Sequence, residues 1–193
     1  MKKLLFVSLS FLLAGKLTMA QAPSVKAGTK LVYYVEMPDK KYDYTVTVKK
    51  VGPSLAFDWA MSEPVNTSGS VSISAGALAT ATSYKNYFED DSKATLTNQS
   101  TVWLSKKNFN ELKSKGKTKM DMTGSSYLYE KEAQPIDVSY EGKSGTVNAK
   151  VLVAEFIKTA DTKYTIQVFN DAKNPLIQYM DLGTFTIKLK RVE

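Results

Sequence analysis

The sequence predicts a mainly β protein: a single antiparallel, strongly curved sheet, closed as a barrel or half-barrel, of about ten strands with one or two short helices. Three observations carry this. Apolar residues recur at every second position in segment after segment, which is the period of a half-buried strand. Clusters of turn residues separate those segments at short intervals. Helical spacing with both a cap and a stop follows Ser105 and is convincing there alone. That many one-sided strands cannot share one flat sheet without curling or splitting into a sandwich, and their short connections favour the curved solution.

Leu31, Tyr33, Val35 and Met37 share one face of the first expected strand. Pro38-Asp39-Lys40-Lys41 then turns the chain, with proline at the first central turn position. Tyr42, Tyr44, Val46 and Val48 face one way in the second strand, opposed by Asp43, Thr45, Thr47 and Lys49. After Gly52-Pro53-Ser54, Leu55, Phe57, Trp59 and Met61 alternate with Ala56, Asp58 and Ala60. These three strands read as an antiparallel meander. Val71 and Ile73 suggest a short strand, and Ala75 to Ala81 one or two helical turns. Tyr84 to Phe88 is expected to be extended, Glu89 to Ser92 a turn, and Ala94 to Leu104 one long strand. Ser105 caps a helix running to about Lys115, with Phe109 and Leu112 on one face and Gly116 as its stop. Strands follow at Lys117–Met122, Ser126–Glu132, Ile136–Tyr140, Thr146–Phe156, Lys163–Phe169, Leu176–Met180 and Thr184–Val192. Glu141-Gly142 occupies the place of a two-residue hairpin turn, and Asp171 to Pro175 that of another turn.

Residues 1–20 have the layout of a secretory signal peptide. Lys2 and Lys3 precede an apolar run from Leu4 to Leu13, and Thr18-Met19-Ala20 offers small residues where a signal peptidase reads. The run is too short for a membrane span. Cleavage is expected after Ala20, or after Ala22 at the alternative Ala20-Gln21-Ala22 site. The rest, 21–193, is expected to be one secreted or periplasmic β domain, monomeric, with Gln21 to Gly28 as a flexible lead-in. The formal charge of +7 falls when Lys2, Lys3 and Lys16 leave. What remains is mildly basic and spread along the chain, unlike the concentrated patch of a nucleic-acid binder.

The chain has neither cysteine nor histidine. Disulfides, Ser-His-Asp and Cys-His catalysis and the usual zinc sites are therefore excluded. Paired carboxylates or a Ser-Lys arrangement remain, and neither stands out. Gly142-Lys143-Ser144 and Gly116-Lys117-Thr118 end like a phosphate-binding loop but lack its earlier glycine, with Asp137 and Glu111 in that place. Glu89, Asp90 and Asp91 lack the alternate spacing of a calcium loop and read as a solvated turn. Asp58 points away from the apolar face. Glu130 and Glu132 share a strand face with nothing nearby to raise a carboxyl pKa. Lys106, Lys107, Lys113, Lys115, Lys117 and Lys119 read as a solvated helix end and a blunted strand edge rather than an anionic-surface site. No metal and no organic cofactor is expected.

The two tryptophans differ. Trp59 lies on an apolar face and reads as core. Trp103 aligns with Thr95, Thr97, Gln99 and Thr101, so its indole is either a ligand or partner contact, a ring covered by the following helix, or the product of a register slip at Asn98. It is the one candidate binding residue.

Gly28-Thr29-Lys30-Leu31-Val32-Tyr33, Val51-Gly52 with Phe57-Asp58-Trp59, and Asn174-Pro175-Leu176-Ile177 before Leu182-Gly183-Thr184-Phe185-Thr186-Ile187-Lys188-Leu189 resemble a family of uncharacterised exported bacterial proteins. That family is a "domain of unknown function" type, numbered 3108. The resemblance spans essentially the whole of 21–193. It implies a strongly curved antiparallel sheet in an envelope protein, similar in outline to periplasmic lipoprotein carriers, and it carries no catalytic or binding residue. The expected function is non-enzymatic: binding of a lipid-like ligand or an envelope protein partner. The alternative is a polysaccharide-binding or polysaccharide-processing protein, with Tyr33, Tyr34, Tyr42 and Tyr44 as stacking platforms.

Overall fold

The meander forms as its alternation requires, in β1 (Lys30–Glu36), β2 (Lys41–Lys50) and β3 (Leu55–Met61). The computed structural model describes residues 22–86, 92–122, 124–159 and 162–193. Among them the chain adds β4 (Ser68–Ile73), helix α1 (Ala75–Thr80), β5 (Ser83–Tyr84), β6 (Lys93–Leu96), β7 (Gln99–Ser100) and helix α2 (Lys106–Lys115). Then come β8 (Lys117–Met122), β9 (Ser125–Lys131), β10 (Ile136–Gly142), β11 (Gly145–Thr159), β12 (Thr162–Phe169), β13 (Ile177–Asp181) and β14 (Thr186–Val192). The expected long strand from Ala94 to Leu104 breaks. It turns at Thr97-Asn98 between β6 and β7, and only an isolated bridge, Trp103↔Leu176, follows. The expected turn at Glu89, Asp90 and Asp91 lies outside the described residues.

The sheet runs β6-β4-β3-β2-β1-β14-β13-β12-β11-β9-β8-β5-β7, antiparallel except for short parallel pairings of β4 with β6 and of β5 with β7 and β8. β10 pairs with β11 along its whole length and touches β14 at Glu141↔Arg191, so β10 to β14 close a ring. The barrel expectation is met by this closure. β11 is the hub. It exceeds its neighbours in length, pairing with β10 through its first half and with β9 and β12 through its second.

Two cores meet on this strand. Ala149, Val151 and Val153 face a cluster with Leu31, Tyr33, Val46, Phe57, Trp59 and Leu189, whereas Leu152 and Ala154 face a second with Phe109, Leu112, Met120, Tyr129 and Ile166. Burial on both faces explains why Val151 to Ala154 reads as an unbroken apolar run. The second core is capped by α2. Ser105 accepts the Asn108 N–H at its start, and Gly116 ends it with φ of 71°. The first core holds Trp59 against Gly69, where an added Cβ would lie 2.6 Å from the indole.

Two expectations about the chain's course are corrected. The turn between β10 and β11 is Lys143-Ser144, because Glu141 and Gly142 still pair with Thr146 and Gly145. Gly145, at φ of 115°, supplies the positive φ that closes it. The lead-in is not loose either: Pro23 is buried, its carbonyl accepts the Asn174 amide at 3.0 Å, and Val25 packs against the first core. No helix among the described residues is long and apolar enough to cross a membrane.

Candidate functional site

The meander's apolar face continues across β14 to β13, because Tyr33 pairs with Leu189, Val35 with Ile187, and Ile187 with Met180. A curved sheet lined this way leaves a hollow unless something fills it. Here a cleft of about 230 Å³ remains, lined by Tyr33, Val35, Tyr44, Met61, Met180 and Ile187 among others. Burial rises steadily along it. Lys40, just before β2, and Tyr42 on it are half-buried and Tyr44 is 5% exposed; Met37, just after β1, is half-buried and Tyr33 on it is 2% exposed. The mouth therefore lies at the β1–β2 turn, and the floor at Tyr33 and Tyr44. Four residues separate Lys40 from Tyr44, about 13 Å at the usual strand rise. Val65 and Thr67 border the cleft beyond β3, while Tyr84, Asn86, Thr101 and Val102 cross over from the middle of the chain.

Three phenols gather at the floor. Tyr33 donates its hydroxyl hydrogen to the Ile177 carbonyl at 2.9 Å. The Tyr84 hydroxyl accepts the Val102 N–H at 3.1 Å. The Tyr44 hydroxyl is buried and has no hydrogen-bond partner among the described residues. Burial pushes all three pKa values up, that of Tyr84 to about 12 against the opposing Val102 hydrogen bond. For Tyr33 and Tyr44, neighbouring phenols raise the pKa further. At neutral pH the floor is uncharged, and of its three hydroxyls Tyr44 is the one that makes no hydrogen bond among the described residues.

The covering segment is strained. Val102 sits at φ of 61°, and Trp103 N–H reaches back to the Thr101 carbonyl at 2.6 Å, a γ-turn with positive φ centred on a β-branched residue. Such a conformation costs on the order of 1–3 kcal/mol and persists where surrounding structure over-determines it. This turn aims Val102 into the cleft and sends Trp103 elsewhere. Trp103, the candidate from sequence, is 4% exposed. Its ring packs on Phe57 at 5.9 Å between centroids, and its indole N–H donates to Asn174 Oδ1 at 2.7 Å. It borders a second hollow of about 130 Å³ with Leu55, Leu78 and Pro175, so it is a buried structural ring and not part of the main cleft.

The other sequence candidates do not converge. Asp58 is exposed and pairs with Lys49 at 2.8 Å. Lys106, Lys107, Lys113, Lys115, Lys117 and Lys119 are all exposed, and Lys115 pairs with Glu111. The expectation for Glu130 and Glu132 is corrected: Glu132, just past β9, lies against Glu155 of β11, whose hydrogen bond and charge raise its carboxyl pKa while Lys163 opposes. Glu132 is exposed and Glu155 half-buried, and no group of three metal-ligating side chains occurs among the described residues. Gly142-Lys143-Ser144 forms a hairpin, and Gly116-Lys117-Thr118 leaves a helix rather than opening one.

The sequence places Tyr33, Tyr42 and Tyr44 on apolar strand faces, and only the polysaccharide alternative needs them exposed; Tyr33 and Tyr44 are buried. Their share in one apolar face was the available signal for an interior role. No protein-family model, no curated protein and no solved structure matches this chain.

Proposed function

We propose that this is a non-enzymatic binding protein of the cell envelope that holds a small, lipid-like ligand in the cleft between β1, β2, β13 and β14. The observation that carries this reading is the combination of apolar walls with a floor of neutral phenols in a hollow of about 230 Å³. Ligand sites have that character: mostly apolar and aromatic, with few polar groups. Sugar stacking needs exposed ring faces in a row, whereas Tyr33 and Tyr44 are buried and Tyr34 alternates to the opposite side of β1.

Export by the leader, and kinship with the exported domain-of-unknown-function proteins, belong to the same proposal. Of the two cut sites, the one after Ala20 suits the fold better. A cut after Ala22 would place a new charged amino terminus on buried Pro23. N-terminal sequencing of envelope-derived protein should read Gln21 first.

Native mass spectrometry of protein taken gently from its own cells tests binding. A retained small apolar mass is expected, absent from an Ile187→Trp variant that fills the cleft. A bare mass, together with no fluorescence response to N-phenyl-1-naphthylamine, overturns the reading.

A further inference from the structure

Resting on that reading, we infer that the cleft selects a neutral ligand inserted polar end first, with a carbonyl, ether or hydroxyl oxygen accepting a hydrogen bond from Tyr44. A buried phenol without a partner is costly; of the floor's other two hydroxyls, Tyr33 donates at 2.9 Å and Tyr84 is tied to Val102 as an acceptor at 3.1 Å. A hydrocarbon tail inserted first would leave the Tyr44 donor unpaired, so it gains nothing from the floor. A carboxylate inserted first would be buried with no cation nearby, which is far costlier than a neutral acceptor. The one lining cation among the described residues, Lys40, stands at the mouth just before β2, about 13 Å from Tyr44 by strand rise.

Access to the hydroxyl is through Met61. It is the direct cross-strand partner of Tyr44, shares its face and is only half-buried. A methionine side chain is unbranched and readily takes another rotamer. Swinging it aside opens the floor without moving the backbone. Size bounds the ligand as well. An apolar cavity of about 150 Å³ accepts benzene, so this cleft accommodates an aromatic ring or short chain with a small substituent.

The test uses two probes of the same shape, acetophenone and α-methylstyrene, which differ in whether oxygen or a methylene terminates the double bond. Both are titrated into the purified protein while the methyl resonances of Met37, Met61 and Met180 are followed. The ratio of the two dissociation constants is compared between the wild type and Tyr44→Phe, so differences in water solubility cancel. Tyr44→Phe should cost acetophenone about five- to tenfold relative to α-methylstyrene, and Lys40→Gln should leave the ratio unchanged. Bound acetophenone should also show a lowered carbonyl stretching frequency in the wild type, a measurement that needs no variant. If both probes bind yet the ratio and the carbonyl frequency do not respond to Tyr44, the inference fails and the cleft stands. An equal change with Lys40→Gln would place the polar end at the mouth and overturn it. If neither probe moves any lining methionine, the proposed function falls too.

Discussion

Asn108 and Tyr44 are both polar side chains buried beneath the same sheet, and the fold treats them in opposite ways. Asn108, on α2, is 1% exposed. Its amide donates to Thr118 Oγ1 at 2.9 Å and to the Lys119 carbonyl at 3.0 Å, and its Oδ1 lies 2.7 Å from the Ser105 hydroxyl. Thr118 in turn donates to Glu111 at 2.9 Å. Every polar atom of that network has a partner, which fixes α2 against β8 and fills the second core. Tyr44 has none, a methionine lies across from it, and the segment crossing above it holds a positive-φ valine. One region is built for stability alone. The other carries an unpaired donor, a hollow and a strained turn together, the pattern expected where folding stability is given up for binding.

The largest effects test whether both tryptophans belong to the stable side of this contrast. Alternation alone would make Trp59→Ala far costlier than Trp103→Ala. With both rings buried, each substitution should instead cost about 3–5 kcal/mol in denaturant unfolding, the two agreeing within about 1 kcal/mol. Trp103 also loses its bond to Asn174, which in turn holds Pro23. A Trp103→Ala loss below about 1 kcal/mol would make that ring peripheral and reopen its role as a contact residue.

Next in size is Asn108→Ala. It strands the Lys119 carbonyl and breaks the amide's bond to Thr118 Oγ1, and should cost about 2–3 kcal/mol. Detachment of α2 from β8 would show as faster amide exchange across Lys106–Lys115, with β1 and β2 unchanged.

Strand faces, the Ser105 cap and the Gly116 stop were legible because they depend on residues a few positions apart. The cleft was not. It needs Tyr33 and Tyr44 brought under Tyr84 and Val102, and no local pattern encodes that pairing. Trp103 misled for a related reason. Alternation assumes one continuous strand, but the chain turns at Thr97-Asn98 and again at Val102, where a β-branched residue gives no hint of positive φ. The lifted pKa of Glu132 was equally hidden, because Glu155 reaches it through the pairing of β9 with β11.

A smaller effect is the pH dependence of the cleft's phenols, which adds to that of Tyr129 in the second core, a phenol whose pKa burial also raises. Tyr33, Tyr44 and Tyr84 have folded pKa values above the unfolded value of about 10, with Tyr84 at about 12. The folded protein therefore holds protons that the unfolded chain releases. Their stabilising contribution is whole below pH about 10 and is lost as pH rises from there toward 12. Unfolding free energy should fall across that window, more shallowly in Tyr44→Phe, whereas Asn108→Ala should leave the slope as in the wild type. An identical slope in Tyr44→Phe would mean the Tyr44 phenol is already wet.

The smallest expected change sharpens the contrast most. In the absence of ligand, Tyr44→Phe deletes a buried hydroxyl that has no partner, and its ring still packs against Tyr33 and Trp59 at 6.4 and 6.3 Å between centroids. Truncating a satisfied group leaves its partners stranded; truncating an unsatisfied one strands nothing. The variant should therefore match or exceed the wild type, by up to about 1 kcal/mol in denaturant unfolding with an unchanged m-value. A loss of about 1 kcal/mol or more would mean that the hydroxyl is already hydrogen-bonded in the empty protein. Tyr44 would then join Asn108 on the structural side, and the cleft would lose the donor assigned to its floor.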